Sequence, residues 1–418
     1  MRYLYSVLFY LAMPFIFLRL LWRSRRNPLY RKRLRERLGF CPHRLHQCIW
    51  VHAVSLGETI AAVPLIKALK TAYPGIPILV TNMTLTGSLR VQAALGDSVL
   101  HAYIPYDLPD AVARFIDRVN PNIVVIMETE LWPNLFAACK KRAIPLIVTN
   151  ARMSAQSAKG YQRITSLVHD MFTAITMLAV QAEPDAARFV ELGMPRERIS
   201  VTGNLKFDLE ISPDVAVKGE VLRERLGQKR LIWVAASTHS GEDEMMLAAH
   251  RIVQANIPHA LLILVPRHPE RFDSVASMIV EHGFKLLRHS QAVQCSSDIT
   301  VYLGDTMGEM MLMYAASDVA CVAGSFVPVG GHNIIEPAAL HKPVMTGPYL
   351  FNFAEISQLM LAANGMVKVD NTEQLAQAVI QFFADEKYRQ QVGNNAFSVV
   401  AKNRGALQRQ VNLITPFL

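Results

Sequence analysis

The chain has 418 residues, of which 51% are apolar, and a net charge of +9; this length exceeds one ordinary hydrophobic core and predicts two domains. Residues 1–44 contain eleven Lys or Arg and one acidic residue, a net +10, so the remaining residues total −1. A neutral body with one basic segment argues against a nucleic-acid-binding protein and indicates an anionic surface near the amino end. The five cysteines show neither CxxC nor zinc spacing, which indicates reduced thiols in the cytoplasm.

An apolar stretch of twenty residues, 3–22, is long enough to cross about 30 Å of hydrocarbon as a helix. We therefore predict a membrane anchor over residues 1–22. The charge cluster follows the apolar run, which disfavours a cleavable signal peptide and places the rest of the chain on the cytoplasmic side of the membrane. Pro14 and Arg19 leave open a tilted or interfacial helix instead of a full span.

A basic arm over residues 23–44 follows the anchor. It contains Arg23, Arg25, Arg26, Arg31, Lys32, Arg33, Arg35 and Arg37. This cluster is typical of a topology signal and equally of a docking patch for anionic, phosphorylated membrane lipid, and the two roles are compatible.

From residue 48 onward, short apolar runs alternate with helical stretches, which is typical of parallel βα units. The predicted strands are 48–54, 77–81, 123–127, 145–149, 176–180 and a short one at 201–204, then 231–236, 260–265, 299–303, 319–323 and 343–346. We predict an N-terminal domain over 45–208, a linker over 209–228 and a C-terminal domain over 229–418, closed by helices within 371–413. The fold class is α/β, with two doubly wound Rossmann-like sheets that face a cleft, and ligands of such sheets bind outside the carboxyl ends of the strands.

Polar residues follow the predicted strands of the first half. Glu58 stands at the start of a helix, where it is either a general base for an attacking hydroxyl or a charge favoured by the helix dipole. Glu128 and Glu130 follow the third strand, where they orient the acceptor or the base, or belong to a solvated loop. Thr84 offers a hydroxyl on the loop after the second strand.

In the second half, Pro266 and Arg267 follow a strand in the segment PRHPER, whose two guanidinium groups suit a phosphate or carboxylate, or a surface salt bridge. Met307, Gly308 and Glu309 open a helix after another strand. The segment 319–347 joins a strand to a helix through Gly330-Gly331, which lets backbone N–H groups approach a nucleotide phosphate.

Asn333 and Glu336 begin the helix that follows these glycines. Asn333 is a good N-cap, and Glu336 stands three residues later. The pair forms either a capping box or, with Glu336 accepting hydrogen bonds from ribose, part of a nucleotide site. Since GxGxxG, GxxxxGK[ST] and HExxH motifs are absent at the required places, dinucleotide, P-loop and zinc-protease functions are disfavoured.

These motifs, in this order, resemble the 3-deoxy-D-manno-octulosonic acid (Kdo) transferases of the glycosyltransferase B fold. The shared segments are SLGE at 55–58, ETELWPN at 128–134, GNLKFD at 203–208, STHSGE at 237–242, PRHPER at 266–271, DTMGE at 305–309 and GGHNIIEP at 330–337. The resemblance implies transfer of Kdo from CMP-Kdo to the lipid A precursor, lipid IVA, in lipopolysaccharide core synthesis, with no metal or other cofactor.

The resemblance also assigns roles to individual residues. Glu58 is implied to be the general base of an inverting single displacement. Arg267 and the Met307–Glu309 turn are implied to bind CMP, together with Asn333 and Glu336. The alternatives are another membrane-associated glycosyltransferase, a sugar-nucleotide epimerase of the same fold, or a non-catalytic sugar-nucleotide sensor.

Overall fold

The structure is a computed structural model that describes residues 1–25, 27–209 and 211–418. Arg26, which the sequence places in the basic arm, lies outside the described residues. The chain forms two compact units, one of Met1–Asp208 with Arg404–Leu418 and one of Leu209–Asn403. Each unit is described by itself.

The first unit is built on a parallel sheet of seven strands in the order β3-β2-β1-β4-β5-β6-β7. The strands are β1 Ile49–His52, β2 Ile78–Asn82, β3 Leu100–Tyr103, β4 Ile123–Met127, β5 Leu146–Ala151, β6 Met177–Val180 and β7 Ile199–Val201. The helices are α1 Arg2–Ser24, α2 Leu56–Ala72, α3 Leu85–Leu95, α4 Pro109–Val119, α5 Pro133–Lys141, α6 Ala155–Tyr161, α7 Thr165–Phe172, α8 Glu183–Glu191 and, from the end of the chain, α17 Ala406–Ile414. The central strands β1 and β4 are buried throughout because helices cover both faces of a parallel sheet.

The second unit repeats this architecture with the strand order β10-β11-β9-β8-β12-β13-β14, again parallel. Its strands are β8 Ile232–Thr238, β9 Leu261–Pro266, β10 Leu286–Arg288, β11 Val301–Leu303, β12 Val319–Val322, β13 Val344–Thr346 and β14 Met366–Lys368. Its helices are α9 Asp214–Leu226, α10 Asp243–Asn256, α11 Phe272–Glu281, α12 Met310–Ala316, α13 Ile335–Ala339, α14 Ala354–Ala362, α15 Thr372–Ala384 and α16 Glu386–Asn403. The predicted fold class of two doubly wound sheets is confirmed.

Three strands were not predicted: β3, β10 and β14. All three lie at sheet edges and are short, and residues of each are only partly buried. An edge strand has one neighbour and less apolar surface to cover, so its sequence carries a weak strand pattern.

The two units differ from the predicted domains at both ends of the second half. The predicted linker 209–228 contains α9, which buries Leu222 and Leu226 and packs against α12. Gly219 permits this contact, since a Cβ there would overlap the side chain of Ala315.

The last helix, α17, belongs to the first unit. Val411 and Ile414 of α17 are buried with the core residues of α2. The Asp208 carboxylate accepts hydrogen bonds from the backbone N–H groups of Gly405 and Leu407, each 2.5 Å long. The compact second unit therefore spans Leu209–Asn403, whereas the predicted second domain spans 229–418.

Helix α1 is the one helix of the described chain that is long and apolar enough to cross a membrane. One side of it packs on the first unit, where Met13 is buried with Tyr106 and Leu108. Ser6 is hydrogen-bonded to Asn134 of α5 at 3.1 Å. The other side is exposed and apolar, and consists of Tyr3, Leu4, Val7, Leu8, Leu11, Phe15, Leu18 and Trp22.

Candidate functional site

Strand order changes direction between β1 and β4 in the first sheet, and the loops after these two strands hold the predicted carboxylates. Such a switch point opens a crevice at the carboxyl ends of the strands, where ligands of doubly wound sheets bind. Glu58 lies in the first turn of α2, after β1, and Glu128 and Glu130 follow β4. The fold therefore brings these three residues to one edge of the sheet.

Glu58 is held by the loop that precedes its helix. One carboxylate oxygen accepts a hydrogen bond from the backbone N–H of Val54 at 2.7 Å, and the other accepts one from the Ser55 hydroxyl at 2.7 Å. The side chain is only 7% exposed, and this burial raises the pKa of Glu58 to about 7 against the opposing effect of both hydrogen bonds. The carboxyl group thus gains or loses its proton near neutral pH, which suits a general base.

Glu128 and Glu130 add negative charge beside Glu58, and this charge further raises the pKa of Glu58. Glu128 has a left-handed backbone, φ 56°, and its carboxylate lies 3.8 Å from Arg152. Glu130 accepts a hydrogen bond from the Trp132 indole at 2.9 Å. These contacts give both acids defined positions in the folded loop.

Thr84 lies beside the same loop, but its hydroxyl is occupied in the structure. It caps α3 by accepting a hydrogen bond from Gly87 N–H at 3.2 Å and donates to the Val54 carbonyl at 3.3 Å. Asn82, which the sequence analysis did not single out, donates to the Ala53 carbonyl at 2.6 Å and to the Thr59 hydroxyl at 2.9 Å. Only the tertiary structure shows that Asn82 fixes the loop around Glu58.

In the second sheet the switch point lies between β8 and β12, and the order β11-β9-β8-β12 places four loops side by side. These loops contain His239 after β8, Arg267 after β9, the Met307–Glu309 turn after β11 and Gly330–Glu336 after β12. Every nucleotide-binding residue predicted from the sequence therefore lies at one edge of the second sheet.

The glycine pair is required by packing within the protein. Gly330 and Gly331 have φ of +103° and +79°, and a Cβ on Gly330 would overlap the ring of Phe351. The Asn352 amide also donates a hydrogen bond to the Val329 carbonyl at 3.0 Å. The sequence predicted that these glycines allow a ligand to approach the backbone. The structure shows that they also allow the segment 349–352 to pack against it.

The predicted helix start at Asn333 is displaced, since α13 begins at Ile335 and has five residues. The Asn333 side-chain oxygen accepts a hydrogen bond from Ile335 N–H at 3.1 Å, and its amide donates to Glu336 at 3.1 Å. Because α13 is so short, its dipole adds little to an anion site. Burial raises the pKa of Glu336, while the Asn333 hydrogen bond and the charge of Arg267 oppose this.

The two predicted guanidinium groups of PRHPER serve different purposes. Arg271 forms an ion pair with the fully buried Asp243 and donates to the Thr238 carbonyl at 2.8 Å. Arg267 follows Pro266, the last residue of β9, and its side chain is exposed. Only Arg267 is therefore placed to reach an anionic ligand, which corrects the prediction of a guanidinium pair.

The turn before α12 combines an exposed and a fixed residue. Met307 is 59% exposed, and Gly308 has φ +84°. Glu309 accepts a hydrogen bond from Thr306 at 2.5 Å and lies 3.2 Å from His289. Gly308 and the Met307 side chain are the exposed parts of this turn and are accessible to a ligand.

A buried carboxylate, Glu242, joins the loops after β8 and β12, and sequence reasoning missed it. Its two oxygens accept hydrogen bonds from the backbone N–H groups of His239, Gly324 and Phe326, at 2.9, 2.8 and 2.9 Å. Its carboxylate therefore fixes the backbone of both loops at the switch point. The only signal in the sequence is its place in STHSGE.

Some residues of the basic arm bind partners within the first unit, and others are exposed. Arg33 pairs with Glu36 at 2.6 Å and donates to the His101 carbonyl at 2.8 Å, and Arg37 donates to the Met83 carbonyl at 2.9 Å. A groove of about 630 Å³ runs along the arm. It is lined by Arg31, Arg33, Leu34, Arg35, Glu36, Phe40, Cys41, Pro42 and Arg118. Arg118, at the end of α4, was not among the predicted residues.

Two parallel Rossmann-like sheets, each with polar loops at its switch point, define the glycosyltransferase B class. A UDP-GlcNAc 2-epimerase from Neisseria meningitidis aligns with a TM-score of 0.58 at 13% identity, covering 88% of this chain and 100% of that one. A glycosyltransferase from Rickettsia africae aligns with a TM-score of 0.56 at 16% identity, covering 89% and 98%. At such identities the similarity shows the fold alone.

Sequence comparison then gives the family. Residues 32–209 match the model for 3-deoxy-D-manno-octulosonic-acid transferase, and residues 230–399 match glycosyl transferases group 1. The Haemophilus influenzae 3-deoxy-D-manno-octulosonic acid transferase is 43% identical, covering 100% of this chain and 99% of its own, and that of Bordetella pertussis is 36% identical, covering 88% and 87%. The chain belongs to the Kdo transferase family and is a glycosyltransferase, which confirms the resemblance inferred from the motifs.

Proposed function

We propose that this enzyme transfers Kdo from CMP-Kdo to the phosphorylated lipid A precursor, lipid IVA, during lipopolysaccharide core synthesis. The observation that carries the proposal is Glu58, a buried carboxyl group whose pKa is raised to about 7 at the switch point of the first sheet. A base with this pKa is ionised in a large fraction of molecules at neutral pH and still binds a proton well.

The chemistry is a single displacement with inversion. Glu58 removes the proton of an acceptor hydroxyl while that oxygen attacks the anomeric carbon of Kdo. The bond from this carbon to the phosphate oxygen breaks, and CMP leaves with the electron pair. A carboxylate has about four lone-pair sites, so Glu58 retains acceptor capacity beyond its bonds to Val54 and Ser55. Glu128 and Glu130 keep the pKa of the base high and orient the acceptor.

The donor nucleotide is assigned to the loops of the second unit. Arg267 supplies an exposed positive charge for the CMP phosphate, and Asn333 with Glu336 supplies side-chain acceptors and a donor for the ribose hydroxyls. Pro266, the turn Met307–Glu309 and the backbone of Gly330-Gly331 complete the proposed site. Stabilising the charge that develops on the departing phosphate is the main contribution expected of such a site.

The acceptor and the membrane are assigned to the amino end of the first unit. The exposed apolar side of α1 suits contact with the hydrocarbon of the inner membrane, with the two units on the cytoplasmic side. Its other side packs on Tyr106 and Leu108, so a helix that crossed the membrane would lose these contacts. We therefore propose that α1 lies in the interface, and that Arg31, Arg35 and Arg118 bind the phosphates of the lipid acceptor.

The test is incubation of the purified chain in anionic mixed micelles with CMP-Kdo and a tetraacylated lipid A precursor, followed by mass spectrometry of the lipid. We expect a lipid product carrying added Kdo and the release of CMP in equal amount. Omission of the lipid is the control for hydrolysis of the donor. CMP release without a glycosylated lipid, or no reaction at all, contradicts the proposal.

A further inference from the structure

Three histidines from three different loops meet at the switch point of the second sheet. The ring planes of His239 and His332 are 5° apart and their centroids lie 5.1 Å apart, and their Nε2 atoms are 2.8 Å apart. The ring of His268 meets that of His239 edge-on at 5.2 Å. No role in the reaction described above uses these imidazoles.

The hydrogen bond between His239 and His332 limits the number of protons on the pair. One Nε2 has to donate and the other has to accept, so the two rings cannot both be charged while this bond exists. Burial lowers the pKa of His332 to about 4 and also lowers that of His239. The free pair is therefore neutral at physiological pH.

The charged groups around the pair come from all of the neighbouring loops. Arg267, Arg271 and His268 disfavour a positive charge on the imidazoles, and Glu242 favours one at His239. The Glu242 carboxylate, however, already accepts three backbone hydrogen bonds. An incoming anion would add a further negative charge beside the pair.

The backbone leaves little freedom for another arrangement. Gly324 has φ +68°, and a Cβ there would lie 2.6 Å from the His332 ring and 3.5 Å from the His239 ring. Among the described residues, no group of three His, Cys, Asp or Glu side chains is placed to hold a metal ion. The pair lies near the exposed, positively charged Arg267, so an anion is the ligand class that fits it.

We propose that the His239–His332 pair takes up one proton from solvent when an anionic group of the donor binds beside it, and then donates a hydrogen bond to that group. The inference rests on the proposed nucleotide site of the second unit. The anion is either the phosphate of the nucleotide or the carboxylate of the sugar acid. The proton is held while the anion stays and returns to solvent when it leaves, so no bond other than hydrogen bonds changes.

The test is isothermal titration of the full-length protein with CMP at pH 7.5, in two buffers that differ in ionisation enthalpy. At this pH the phosphate, whose second pKa is about 6, is almost fully dianionic and brings no proton of its own. We expect more than half a proton taken up per CMP bound, and an affinity that falls up to about ten-fold per pH unit between pH 7 and 8.

Variants and ligands separate the sources of the effect. His239→Gln and His332→Gln should each bind CMP more weakly and without proton uptake, whereas His259→Gln, an exposed histidine of the same unit, should behave as wild type. Titrations with Kdo and with cytidine distinguish the carboxylate from the phosphate, and uptake with Kdo alone would assign the sugar acid. CMP and Kdo that bind wild type without proton uptake overturn the histidine inference only, while a wild-type protein that binds neither overturns the nucleotide site as well.

Discussion

The loops at the two switch points have the same place in the fold and different chemistry. Those of the first unit present Glu58, Glu128 and Glu130, and those of the second present Arg267 and three histidines. Burial acts on both sets in one direction, because it disfavours charge: it raises the pKa of Glu58 and lowers that of His332. Under the proposed function, the comparison teaches that one fold supplies a proton acceptor for a hydroxyl in one unit and an anion site in the other.

The largest effect is expected from Glu58→Gln. This change removes the basic carboxylate at nearly constant volume, so transfer should fall at least about 100-fold, the usual contribution of a general base. CMP affinity, assigned to the second unit, should stay unchanged. Steady-state transfer assays and CMP titration measure both. The exposed Glu191→Gln is the matched control, and a Glu58→Gln enzyme with more than a tenth of wild-type turnover would refute the assignment.

The next effect tests the backbone of the anion site. In Glu242→Gln, one of the two carboxylate oxygens becomes an NH₂ group, which leaves a buried N–H of Gly324 or Phe326 without its acceptor and costs about 1–3 kcal/mol. We expect a lower unfolding temperature and weaker CMP binding, while the proposed role of Glu58 as the general base stays the same. Thermal denaturation with and without CMP provides the measurement. Glu244→Gln, exposed on the same helix, should change neither quantity; equal effects of both variants would disprove the role of Glu242.

The division between acceptor and donor is tested at the basic groove. Replacing Arg35 and Arg118 by Gln should raise the apparent KM for the lipid acceptor several-fold and weaken its salt dependence, since each basic residue near an anionic surface contributes about 1 kcal/mol. Arg33 is left intact because it pairs with Glu36 and His101. The KM for CMP-Kdo should stay constant.

Kinetics on anionic vesicles at two salt concentrations would measure this effect. The double variant Lys67→Gln/Lys141→Gln removes the same charge from exposed positions outside the groove. An equal rise in the donor KM for the groove variant would show that the arm acts on the nucleotide and not on the acceptor.

The smallest effect concerns pH. The base acts when ionised, so kcat/KM for the lipid acceptor, measured at saturating CMP-Kdo, should rise with pH through a midpoint near 7, the pKa of Glu58, and level off above it. Because the negative charge of Glu130 raises this pKa, Glu130→Gln should move the midpoint to lower pH by a fraction of a unit. A pH–rate profile from pH 5.5 to 8.5 tests the shift. A midpoint that is unchanged in Glu130→Gln, or that moves equally in the control Glu191→Gln, would be inconsistent with local charge coupling.

Much of the fold was predictable from local pattern. Runs such as 123–127 and 260–265 are apolar throughout because parallel strands are covered on both faces, and they predicted the type and the position along the chain of the central strands. The edge strands β3, β10 and β14 were not predicted because they have little apolar surface to bury. The position of Glu58 at a helix start was also predictable from the sequence, since Ser55 is a strong N-cap and Glu58 follows it by three residues.

The sequence by itself determined the α/β class, the family through its ordered motifs, the apolar N-terminal helix and the residues at the strand ends. Only the tertiary structure decided which of those residues remain available to a ligand. Arg271 forms an ion pair with Asp243, Arg33 forms one with Glu36, and Glu242 accepts hydrogen bonds from three backbone N–H groups. It also paired His239 with His332, 93 residues apart in the chain. The physical reason is that spacing along the chain specifies local hydrogen bonds, whereas contacts between loops depend on strand order, which non-local packing alone sets.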